Sequence, residues 1–122
     1  MENIIKSHKN LSTQVMGFGM GGLTMPKQKV ASNIFSLSGD IFDPLFDLTS
    51  LIPNYTQVLQ RIRISSPANF APIMRVISDY ASYEADNYEC RNFYHLIYLT
   101  PGIPDDFQQT FDELKYLHSL PI

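Results

Sequence analysis

Phe93-Tyr94-His95-Leu96-Ile97-Tyr98-Leu99 is a nearly continuous run of apolar strand formers. A strand covered by helices on both faces requires such a run, so this stretch predicts a parallel central strand. Working outward, Asp105 and Asp106 favour a helix N-terminus just downstream through the helix dipole. Phe107, Phe111, Leu114 and Leu117 then recur at helical spacing and predict a buried stripe. Upstream, Phe70, Ile73, Met74, Ile77 and Tyr80 predict an amphipathic helix over 69–83, with Pro72 tolerated in its first turn. Glu84 to Arg91 is polar and reads as a loop. Strands alternating with helices point to an α/β layered fold.

The N-terminal half fits the same class less tightly. Thr13 to Phe18 reads as a short strand ended by glycines, and Val30 to Leu37 as an edge strand. Asp43 followed by Pro44 suggests a helix start. Leu48, Leu51, Ile52, Tyr55, Val58 and Leu59 supply a helical stripe expected to face a core. Pro53 kinks that helix or moves its start to about Ile52. Ile4 and Ile5, followed by polar residues, read as a helix tail and loop over 1–12, ahead of one domain over 13–122.

The bulk composition narrows the function classes. At 122 residues there is length for one small core. Hydrophobic content of 44% with 17% charged residues fits a globular chain. A formal charge of −3 argues against a nucleic-acid binder held by phosphate contacts. A single cysteine, Cys90, excludes an internal disulfide and suits a reducing compartment. Without a secretory h-region or a spanning run, the expectation is a soluble cytoplasmic chain.

Motifs for catalysis fail on context. Gly17-x-Gly19-x-x-Gly22 has dinucleotide-loop spacing, and Asp40 lies near the required distance, but no crossover helix fits before the next strand. A strand-to-strand turn is the simpler reading. His8, His95 and His118 lack metal-ligand spacing. Cys90 sits between Glu89 and Arg91 without a nucleophile motif. Adjacent Asp105 and Asp106 would diverge rather than flank a substrate. No enzyme activity and no cofactor are expected. Arg61 and Arg63, with Lys27 and Lys29, make a modest basic patch whose default is a solvated face.

A second stretch adds a family. Ser66-Pro67-Ala68-Asn69-Phe70-Ala71-Pro72-Ile73 resembles the Gly-Pro-Thr-Asn-hydrophobic-Ala-Pro-Ile loop of the copine family's von Willebrand A-type domain. Leu99-Thr100-Pro101-Gly102 resembles that family's Leu-Thr-Asp-Gly strand end. Val15-Met16-Gly17-Phe18-Gly19, Phe35-Ser36-Leu37, Ser50 to Tyr55, Arg61 to Ile64 and Leu120-Pro121-Ile122 resemble further segments in the same order.

The resemblance implies a partial von Willebrand A-like, Rossmann-type fold, a mostly parallel sheet with flanking helices whose first and last strands are missing. It also implies a divalent-cation site. Here the expected ligand positions hold Ala68 and Pro101, neither of which offers a side-chain oxygen to a hard cation. Asp105 could substitute from the following loop. The implied function is a non-enzymatic protein–protein interaction module without a cation, acting at an edge built by Ser65, Ser66, Asn69, Phe70, Thr100, Asp105 and Asp106. Its partner would be an unidentified protein, with self-association and weak or indirect membrane contact as further expectations, at the plasma membrane if anywhere. The alternatives are calcium-dependent phospholipid binding, as in whole copines with their C2 domains, and a non-functional truncated remnant.

Overall fold

The computed structural model describes residues 14–87, 93–100 and 102–122. The expected helix tail near Ile4, and the positions of His8, Cys90 and Pro101, lie outside the described residues. The chain divides into two compact units that meet in sequence between Ser66 and Pro67.

The first unit carries β1 (Gln14–Met16), β2 (Phe18–Gly19), β3 (Gly22–Leu23), β4 (Phe35–Ser36), β5 (Leu45–Asp47), α1 (Leu51–Arg61) and β6 (Arg63–Ile64). Its strands form three antiparallel ladders of two strands each. Val15 faces Phe46, Gly19 faces Phe35, and Gly22 faces Ile64. A Cβ at Gly19 would collide with the Phe35 ring, which is why this position excludes a side chain. Gly21 adopts φ 67° at the turn between β2 and β3, a conformation open to glycine at no steric cost. The glycine cluster is thus the strand-to-strand turn expected.

Two expectations for this unit change. Leu45 to Asp47 follows Pro44 as a strand because it pairs with Gln14 to Met16, so Asp43 caps no helix. α1 begins at Leu51, after a 3-10 turn over Leu48–Ser50. Pro53 falls in its first turn, where a missing N–H costs nothing. Of the predicted stripe, Leu48 and Leu51 are buried while Ile52, Tyr55 and Leu59 are exposed.

The second unit is built on α2 (Ala71–Asn87) and α3 (Phe107–Leu117). Phe70, Ala71, Ile73, Met74, Ile77 and Ala81 are buried along one face of α2. Their spacing is that of a helix stripe, and each large member stabilises the unit by about 1.5–3 kcal/mol. α2 runs past the expected boundary and absorbs the start of the predicted polar loop. α3 packs on α2 with Thr110 and Leu117 buried and Arg75 paired to Glu113 at 2.5 Å. The predicted stripe of α3 is corrected: Phe107, Phe111 and Leu114 are exposed, and only Leu117 is buried.

The fold is mixed α/β, but the described residues contain antiparallel pairs and no parallel ladder. Residues 93–100 belong to no ladder among the described residues. Tyr94, Leu96 and Tyr98 are half-buried, whereas Phe93, His95, Ile97 and Leu99 are exposed. That alternation is the period of an extended chain covered on one face, not on both. This one-sided cover is the physical reason that the run does not form a buried central strand.

Candidate functional site

The loop before α2 is held by the two acids before α3. The Ala68 N–H donates to Asp105 Oδ2 at 2.6 Å, and the Asp105 N–H donates to the Ala68 carbonyl at 3.1 Å. The Phe70 N–H donates to Asp106 Oδ1 at 2.9 Å, and the Ala71 N–H to Asp106 Oδ2 at 2.9 Å. Thr110, one turn into α3, donates its hydroxyl to Asp106 Oδ1 at 2.9 Å. Asp106 occupies the N-cap position of α3 but makes no side-chain cap bond there. Its carboxylate instead satisfies the first free amides of α2, where the helix dipole also favours a negative charge.

The electrostatics follow from those contacts. Partial burial pushes the Asp106 carboxyl up, but the Phe70 and Ala71 amides and the Thr110 hydroxyl outweigh it. The carboxyl is therefore held below its ordinary value, as hydrogen bonds to the charged form require. Tyr98 closes the other side of the loop. Its hydroxyl donates to the Phe70 carbonyl at 2.8 Å, and its ring stacks on Phe70 with centroids 5.0 Å apart. Burial first, and then the Asp106 charge, raise the Tyr98 phenol well above its ordinary value.

The expected edge residues separate into groups. Asn69, Phe70, Asp105 and Asp106 come together in the second unit, with Phe70 buried and Asn69 half-buried. Thr100 is exposed and folded onto its own turn, where its hydroxyl donates to the Gly102 carbonyl at 3.1 Å. Ser65 and Ser66 end the first unit; the Ser65 N–H donates to the Gly21 carbonyl at 2.7 Å, and Ser66 is exposed. Ala68 is half-buried and contributes backbone groups alone to the clamp.

Sequence reasoning missed Tyr98 and Thr110. Thr110 stands four residues after Asp106, a spacing at which side chains meet on a helix. Tyr98 shares the covered face with Tyr94 and Leu96, an alternation that the burial shows but the nearly continuous apolar run does not.

Other candidates stay apart. His95 lies edge-on to Phe93 with ring centroids 5.4 Å apart, and His118 ends α3. Lys27, Lys29, Arg61 and Arg63 are exposed in the first unit, with Arg61 at the end of α1 and Arg63 in β6. Among the described residues, no group of three or more His, Cys, Asp or Glu is placed to hold a metal ion, and no helix is long and apolar enough to cross a membrane.

The Pro-Ala-Asn-Phe-Ala-Pro loop, its helix, and the acids that clamp it lie within a longer match. The family model Copine matches residues 2–122. The match spans essentially the whole sequence, and the chain belongs to the copine family.

Proposed function

We propose that this copine domain is a non-enzymatic protein-interaction module whose loop edge works without a divalent cation. The supporting observation is the engagement of Asp105 and Asp106 by the Ala68, Phe70 and Ala71 amides. A divalent cation needs several converging oxygens. Around these carboxylates stand N–H donors, whose partial charge is the wrong sign for a cation, and Ala68 has no side-chain oxygen to add. The residues present therefore do not fit a cation at this loop. In this reading the carboxylates do internally what a metal would do from outside: they fix the path from Ala68 to Ala71.

The edge offered to a protein partner comprises Asn69 and the loop from Thr100 to Asp106, with Phe70 held beneath by Tyr98. The von Willebrand A-like layered fold, a cytoplasmic location and recruitment to the plasma membrane only through a partner belong to the same proposal. Co-sedimentation with phosphatidylserine vesicles tests it. The chain is expected to stay in the supernatant with or without calcium. Calcium-dependent pelleting would contradict this reading and favour phospholipid binding by the chain itself.

A further inference from the structure

Arg61-Ile62-Arg63-Ile64-Ser65-Ser66-Pro67 sets two arginines, alternating along the chain, ahead of a serine that a proline follows. Arg61, Arg63 and Ser66 are exposed, and Ile64 between them is 80% exposed. After α1 the chain is extended from Ile62, at φ −99° and ψ 152°, through β6, and it bends at Ser66. β6 gives only two residues to its ladder with β3, so the segment can leave that ladder by local opening. Other hydroxyls are placed differently. Ser36 and Ser78 are buried, while Ser38 and Ser119 donate to the Asp43 and Tyr116 carbonyls at 2.8 and 2.6 Å.

We propose that Ser66 is a phosphate acceptor for a protein kinase of the proline-directed class that also reads an arginine at the third residue before its target. Pro67 selects the class. It has no N–H, so a kinase cleft that bonds the amide after the serine rejects it, whereas a cleft shaped to its ring accepts it. Arg63 stands at the reading position, and its guanidinium can make a bidentate, charge-assisted contact with a carboxylate of the cleft. In the transfer, Ser66 Oγ bonds to the γ-phosphorus of ATP as the bond from that phosphorus to the β,γ-bridging oxygen breaks. ADP leaves, and the hydroxyl proton passes to the catalytic base of the kinase. From Leu48 to Met74 the only charged side chains are Arg61 and Arg63. A phosphate of about −1.5 to −2 charges therefore cancels the positive charge of this stretch.

The test incubates the folded full chain with magnesium, ATP and a purified proline-directed kinase of that arginine preference, its activity checked on a peptide substrate. Intact mass is expected to rise by one phosphate, and fragmentation to place it on Ser66. Ser66→Ala should take up none, and Arg63→Ala should lower the initial rate about tenfold, both with unchanged circular dichroism. A wild-type chain that takes up no phosphate would overturn the proposal, a reading that needs no variant to fold. So would phosphate on Ser65 in place of Ser66, or an Arg63→Ala rate equal to that of the wild type. Faster transfer by an arginine-directed kinase with no preference for proline would overturn the assigned class.

Discussion

The Asp106 carboxylate accepts the Ala71 N–H at 2.9 Å, so a residue at the start of one helix caps the start of another. The two positions are 35 residues apart in sequence. The contact closes the second unit on itself: it joins the loop before α2 to the loop before α3 at the same end at which Tyr98 holds Phe70. Capping in trans satisfies amides that would otherwise depend on water, and it fixes where α2 begins.

Asp106→Ala removes the acceptor for three donors at once. Its expected cost is about 1–3 kcal/mol, the range for lost charge-assisted hydrogen bonds and caps. Asp106→Asn should cost less, because one carbonyl oxygen can still accept. Thr110→Val should cost less again, since it removes only the hydroxyl. Urea midpoints of the three variants should fall in that order.

The same carboxylate makes stability depend on acid. Its folded pKa is lowered, so the unfolded chain takes up a proton first as pH falls. The contribution is complete above the ordinary carboxylate value and is lost as pH drops below it, through the lowered folded value. Urea midpoints measured from neutral pH into that acid range should fall more steeply for the wild-type chain than for Asp106→Asn.

Tyr94 should titrate late. Burial first, and then the Glu84 carboxylate that accepts its hydroxyl proton, push its phenol up to about 12. A raised folded pKa means that the stabilisation is present below the ordinary tyrosine value and is lost as pH climbs toward the folded one. Alkaline difference spectra should show one tyrosine ionising near that value, and Glu84→Gln should move it down.

Tyr98→Phe keeps the stack on Phe70 but loses the hydrogen bond to its carbonyl. The expected loss is about 1 kcal/mol by thermal or urea unfolding. Tyr98→Ala should cost more, because the ring contact goes too. Ile77→Ala, on the buried face of α2, should cost about 2–5 kcal/mol as a core truncation.

The sequence revealed what local spacing encodes. The α2 stripe through Phe70, Ile73, Met74 and Ile77, the tolerance of Pro72 in a first turn, the helix start that Pro53 moves to about Ile52, and the glycine turn all depend on near neighbours. What it did not reveal depends on distant ones. Ile52, Tyr55 and Leu59 on α1, and Phe107, Phe111 and Leu114 on α3, have helical spacing, but spacing alone does not say whether another element covers the stripe. Asp105 and Asp106 carried a correct local signal for a helix start. Their actual duty, on amides 35 to 37 residues upstream, has no local signature. The Phe93–Leu99 run looked doubly buried because hydrophobicity records what a strand tolerates, whereas its cover is set by what packs on it.

Thermal unfolding with and without excess magnesium or calcium tests the cation-free clamp most directly. If Asp105 and Asp106 are committed to the Ala68, Phe70 and Ala71 amides, the melting temperature should be the same in both conditions. A cation that binds the native state must raise it. A clear rise that Asp105→Asn and Asp106→Asn abolish would mean that these carboxylates bind metal, and would contradict the account.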